Sequence, residues 1–186
     1  MNKISQLLSS SSKPLIMGVL NLTPDSFSDG GKYNQIDESL RHVEGMVNSG
    51  ADIIDIGAES SRPGAGIISV NAERDRLEPT LKEIKKVFDI PISVDTYKPE
   101  IMKLSIDYGV DMINDIYALQ KPGAIAAISN SNTLVCLMHM QNSPKNMQNS
   151  PHYKNIALEV ESFFKTRTAD LNKAGIKNER IMLDPG

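Results

Sequence analysis

The chain has 186 residues, 40% of them apolar, with 20 Lys and Arg against 23 Asp and Glu for a net charge of −3. That balance argues against a broad nucleic-acid surface, which needs clustered basic residues, and the single Cys136 leaves no disulfide within the chain and suits a reducing, cytoplasmic setting. No apolar run approaches the roughly 18–20 residues that cross a bilayer, so neither nucleic acid nor membrane is an expected partner, and the length fits one domain or most of one.

Residues 1–13, MNKISQLLSSSSK, lack a signal peptide's apolar stretch and read as a flexible leader. The first strand-like run is PLIMGVLN (14–21), followed by the polar loop NLTPDSFSDGG, which holds a Phe among two Asp and two Ser. Ile36, Leu40, Val43 and Val47 are spaced 4, 3 and 4 apart, one face of a helix. ADIIDIG (51–57) then leads into AESSRPGAG, and Leu77, Leu81, Ile84 and Phe88 repeat the helical spacing. Pro79 falls inside that helix and predicts a kink or the true start. PISVDT (91–96) comes next. Pro99 then suits a first helical turn, with Ile101, Leu104 and Tyr108 as its stripe. DMINDIYA (111–118) precedes the brief PGAIAAIS, and LVCLMHM (134–140) precedes the longest stripe, Ile156, Val160, Phe164 and Leu171, which Gly175 would end. RIMLDPG (180–186) is the sixth run.

Six short runs alternating with helical stripes predict a parallel α/β fold. Their near-continuous apolar character fits strands covered on both faces. An open nucleotide-binding sheet would carry a Gly-rich fingerprint after its first strand, and LTPDSFSDGG has no G-x-G-x-x-G. A (β/α)8 TIM barrel, with its site at the C-terminal rim, is therefore expected. Such a barrel needs eight strands and about 250 residues; this sequence supplies about six strands, the expectation for a truncated barrel over 14–186.

Polar residues stand near the exit of every run: Asn21, Asp55, Asp95, Asn114 with Asp115, His139, and Asp184. Asp and Asn are poor strand formers, and a buried carboxylate is costly unless paired. Asp55 and Asp115 have more strand sequence after them and read as structural, and His139 reads as a hydrogen-bonded core histidine. Singly these are caps and turns; ringed around one mouth, they suit a flat ligand rich in N–H donors, because a carboxylate accepts two parallel N–H bonds. Arg62, flanked by Ser60, Ser61 and glycines, suits an anion.

In order and spacing, NLTPDSFSDGG, GAESSRPGA, SVDTYKPE, MINDI, CLMHMQNSPKNMQ and LDPG resemble the dihydropteroate synthase family from about residue 14 to the end. The resemblance implies a pterin-binding (β/α)8 barrel, a homodimer when full-length, and a sulfonamide target of folate biosynthesis. It implies a transferase that condenses 7,8-dihydropterin methyl pyrophosphate with p-aminobenzoate, giving 7,8-dihydropteroate and pyrophosphate, with Mg2+. By the same resemblance, Asn21 and Asp29 hold the metal. Ser61 and Arg62 grip pyrophosphate, Asp95, Asn114 and Asp184 bind the pterin, and Phe27 and Pro63 wall the aminobenzoate site. Asp95, Asp184 and Arg62 are the expected catalytic residues.

Two departures stand out: Ser61 where the family usually has Thr, and Ala58 where Gly is frequent. The family also continues past LDPG with further lysine, arginine and histidine segments, so residues 1–186 alone are expected to lack synthase activity. The alternatives are a pterin-binding barrel of methyl transfer, which needs no pyrophosphate grip, and an inactive pterin-binding fragment.

Overall fold

A computed structural model describes residues 2–23, 32–60, 66–143, 147 and 150–186, apart from the side chains of 32–34. Six strands, β1 (Met17–Asn21), β2 (Ile53–Gly57), β3 (Ile92–Asp95), β4 (Met112–Asp115), β5 (Leu134–Met138) and β6 (Ile181–Asp184), pair in sequential order in one sheet. Every pairing is parallel. The helices between them are α2 (Lys32–Asn48), α3 (Val70–Val87), α4 (Pro99–Asp107), α5 (Ala124–Ser129) and α6 (Ile156–Lys173). A doubly wound sheet would reverse its strand order once. The unbroken order instead matches six of the eight units of a (β/α)8 barrel.

Side chains alternate between the two faces of each strand. Leu20, Ile54, Ile56, Ile92, Val94, Ile113, Val135 and Leu137 face the helices and join Val43, Leu77, Leu81, Ile84, Ile101, Phe164 and Leu171 in the main core. All seven of these helix positions were picked out by their spacing; Leu40, Val47, Phe88, Tyr108 and Val160 pack against the core partly buried, whereas Ile156 is exposed. The opposite, inner face begins at the strands' N-terminal ends with a second cluster of Ile53, Met112 and Leu134.

The N-terminal segment differs from the leader expected of it. Residues Lys3–Ser10 form a helix, α1, that the serine run obscured in the sequence. Asn2 caps it by accepting from Ile4 N at 3.0 Å and donates to Asp111 O at 2.7 Å. Ile4, fully buried, completes the second cluster and closes the N-terminal end of the inner face.

Pro79 does not start α3. The helix begins at Val70, where the Ser69 hydroxyl accepts from Ala72 N at 3.2 Å, and runs on through Pro79. Pro99 occupies the first turn of α4 as expected, and Gly175, at φ +84, follows the C-cap Ala174 of α6 in the left-handed conformation a helix end favours.

Candidate active site

Strand register assembles the site. Asn21 pairs with Gly57, Gly57 with Asp95, Asp95 with Asn114, and Asn114 with Cys136. One row across the inner face near the strands' C-terminal ends thus reads Asn21, Gly57, Asp95, Asn114, Cys136. Asp55 lies one layer below, two residues before Gly57. Asp184 lies one layer above the row's continuation at Met182, opposite Met138. The three residues expected to meet the pterin, Asp95, Asn114 and Asp184, therefore share one face with Asn21. Phe27, Asp29, Ser61, Arg62 and Pro63 lie outside the described residues.

Gly57 keeps the row open. A Cβ there would stand 3.6 Å from Asp95 Oδ2 and 3.7 Å from Asn21 Oδ1. Those are ordinary contacts, so the backbone tolerates a side chain, but a larger one fills the gap between the two polar groups. Gly57→Val is expected to leave the melting temperature unchanged or raised, since Val favours strands. The same change should weaken pterin binding by about tenfold or more, roughly 1.4 kcal/mol; titration calorimetry on the folded variant reads it.

The electrostatics follow from crowding. Burial pushes the Asp95 carboxyl well above the ordinary carboxylate range, and the negative fields of Asp55, Asp115, Glu73 and Glu59 add to it. Asp55, 4% exposed, is also raised by burial, offset in part by the Asn114 amide. Asn114 Nδ2 donates to Asp55 Oδ2 at 3.4 Å, whereas Asp55 Oδ1 and Ser93 Oγ have no hydrogen-bond partner among the described residues. The Cys136 thiol, in the same row, is pushed up to about 12 by burial and by Asp184, Asp55 and Asp95, so it stays protonated and is no nucleophile at neutral pH. A face that concentrates carboxylates without neutralising them is prepared for a ligand that brings N–H donors or positive charge.

Asp115 and His139 belong elsewhere. Asp115 points to the helix side, accepting from Tyr117 N and Leu119 N, both at 2.8 Å, and so shapes the turn after β4. Burial pushes its carboxyl up to about 6 against an ordinary 3.8. A folded-state value raised above the unfolded one makes its contribution favourable below about pH 4. That contribution is lost as pH rises through about 6, a change of about 3 kcal/mol. Asp115→Asn is expected to flatten the urea-derived stability curve between pH 4 and 6 relative to the parent, whatever constant offset the lost acceptor adds. His139 is buried on the helix side, its ring edge-on to Phe163 at 5.0 Å, the core histidine that the sequence suggests.

Two features escaped sequence reasoning. One is the space at Gly57. The other is an ion cluster in which Lys98 pairs with both Glu59 and Glu73. Its sequence signal was Glu73 itself, a carboxylate four residues before Leu77 on the buried stripe of α3.

Comparison with known proteins gives the same picture. A family profile described as pterin binding enzyme matches residues 17–186. The dihydropteroate synthase of Escherichia coli (strain K12) is 47% identical over 175 residues, covering 94% of this chain and 62% of that protein. The Neisseria meningitidis serogroup C dihydropteroate synthase is 48% identical over 177 residues, with the same coverage of each chain. The crystal structure of the Yersinia pestis dihydropteroate synthase in a sulfonamide complex superposes with a TM-score of 0.87 at 46% identity, over 94% of this chain and 64% of that one. The Burkholderia cenocepacia dihydropteroate synthase with 7,8-dihydropteroate gives 0.82 at 39%, over 94% and 59%. The chain thus spans about three-fifths of the length of these relatives.

Proposed function

The chain belongs to the pterin-binding enzyme family, and from that premise we propose that the protein is a dihydropteroate synthase. In this reading it joins 7,8-dihydropterin methyl pyrophosphate to p-aminobenzoate, releasing pyrophosphate and 7,8-dihydropteroate. The observation that carries the proposal is the register row: Asn21, the gap at Gly57, Asp95 and Asn114 side by side, with Asp184 on the same face.

The chemistry suits that row. The C–O bond from the pterin methylene to pyrophosphate breaks, and positive charge spreads into the ring. Asp95 and Asp184 stabilise that charge electrostatically and hold the ring by its N–H edge, with Asn114 beside them. The neutral arylamine nitrogen then forms the C–N bond and loses a proton to solvent. Arg62 and Ser61 hold the departing pyrophosphate, and Phe27 and Pro63 flank the arylamine, the place where sulfonamides would compete. No protein nucleophile is required.

Mg2+ fits the donor set as a minor partner of the protein. Among the described residues no cluster of three or more His, Cys, Asp or Glu side chains forms a cation site. An ion of this kind relies on phosphate oxygens and one or two protein groups. Asn21 Oδ1, beside the Gly57 gap, is such a group, with Asp29 as the second. When bound, the ion supplies neutralising charge at the pyrophosphate. The whole protein is read as a cytoplasmic homodimer; among the described residues no helix is long and apolar enough to cross a membrane.

The test is a thermal shift followed by a product assay. Pyrophosphate with Mg2+ should raise the melting temperature, a pterin should do so independently, and the complete protein should form dihydropteroate. A shift with pterin and none with pyrophosphate would point to methyl transfer instead and sink the proposal.

A further inference from the structure

Two buried aspartates stand near strand exits, and their hydrogen bonds separate them. Asp115 uses both oxygens on the backbone, accepting from Tyr117 N and Leu119 N, so the turn after β4 accounts for it. Asp55 has no such use. It is buried on the inner face, and its Oδ1 meets no hydrogen-bond partner among the described residues. Ser93, its register partner on β3, is fully buried, and its Oγ is equally bare there. Asp55 Oδ2 instead accepts from Asn114 Nδ2 at 3.4 Å, a residue of the ligand row. A buried carboxylate with a bare oxygen costs the fold stability, so the presence of Asp55 points to a use in the site rather than in folding.

The bond crosses β3. Asp55 lies on β2 at the level of Ser93, and Asn114 lies on β4 at the level of Asp95, one layer higher. The small Ser93 leaves room for the approach. An amide has a donor side and an acceptor side, and the neighbour it meets decides which way round it sits. An ionised carboxylate only accepts, so it takes the Nδ2 side. The Asn114 amide in turn favours the ionised form of Asp55, against the larger, opposing effect of burial. The amide oxygen is left for the ligand. We infer that Asp55 is a positioning residue: by holding Asn114 Nδ2 from the layer below, it presents Asn114 Oδ1 as an acceptor beside Asp95 and Asp184. The inference rests on the proposed pterin site. Without Asp55 the amide is free to turn its donor toward the ligand's N–H edge, where donor meets donor.

A double-mutant cycle tests this. Asp55→Ala should weaken the binding of pterin about tenfold in calorimetric titration, the size of one good hydrogen bond turned the wrong way. Its melting temperature should be unchanged or raised, because a buried and partly unpaired group is gone. In protein already carrying Asn114→Ala, the same change should alter affinity by less than about twofold, since no amide is left to orient. A comparable loss in both backgrounds overturns the inference. Asp55 then acts through its field on the ligand or on Asp95, whose ionisation it opposes, or through the fold at large. Should Asn114→Ala bind too weakly to titrate, Asn114→Asp supplies a second background. A carboxylate there accepts at either oxygen and needs no orienting partner, while Asp55 repels it. Asp55→Ala should then tighten binding, and a loss like that seen in the parent overturns the inference. Should Asp55→Ala fold poorly, Asp55→Val, a better strand residue, carries the same expectations. A parent protein that binds no pterin removes the proposed function. A parent that binds pterin, with Asp55→Ala indistinguishable from it, removes this inference alone.

Discussion

Replacing Asp95 with Ala or Asn should abolish pterin binding while leaving the unliganded fold as stable as before or more stable. The two halves of that result have one cause. Asp95 is held in a desolvated place among other carboxylates, which raises its carboxyl well above the usual range. A raised folded-state value means that stability is present below the unfolded value and lost as pH rises through the folded one. Wherever this carboxyl is ionised it therefore burdens the fold, and either substitution lifts that burden. Binding runs the other way. An ionised carboxylate accepts two charge-assisted bonds from a donor edge, and an amide at the same place offers one acceptor and an opposing donor. The loss should be about 100-fold or more, some 2.7 kcal/mol. Calorimetry across pH adds a second check. Affinity of the parent should fall as pH drops through the Asp95 ionisation, at a midpoint above 3.8, and the Asn variant should show no such step. Retained affinity in Asp95→Ala would remove this residue from the site.

Lys98→Met should be the most destabilising single change in the site region. It leaves Glu59 and Glu73 facing each other in a nearly dry space without their shared cation. Breaking a buried ion group by removing one partner costs about 3–5 kcal/mol, which in a chain of this size lowers the melting temperature by about 10 °C. The triple change Glu59→Gln, Glu73→Gln and Lys98→Met removes all three charges. It should recover most of that stability, because neutral amides and a thioether no longer require a counter-ion. Melting curves of the two variants, measured side by side, check the argument. Equal melting temperatures for parent and Lys98→Met would show that the cluster contributes nothing.

Much of this was visible in the letters. Ile36, Leu40 and Val43 announce a helix by spacing alone, because a buried stripe must recur every three to four residues. Asp95 and Asn114 announce a site because their type clashes with a strand. Distances across the sheet were not visible: register decides whether Asn21, Asp95 and Asn114 lie in one row, and register is a property of pairs of strands. The opposite failure occurs at α1. Four consecutive serines suggested a chain without structure, yet Ile4 has an apolar socket waiting between strands that begin some 50, 110 and 130 positions later. Asp115 and His139 show the limit of residue type as a guide. Each sits at a strand exit, and the two-residue period of the pleat turns both away from the ligand side.

The short helix at the start of the chain has a practical bearing on how the protein is handled. It seals the end of the sheet opposite the polar rim, so an affinity handle fused ahead of Asn2 would hang well clear of any ligand. Trimming the first ten residues, a routine step when a serine-rich terminus is taken for dispensable, would unplug Ile53, Met112 and Leu134 and invite water or aggregation into the floor of the molecule.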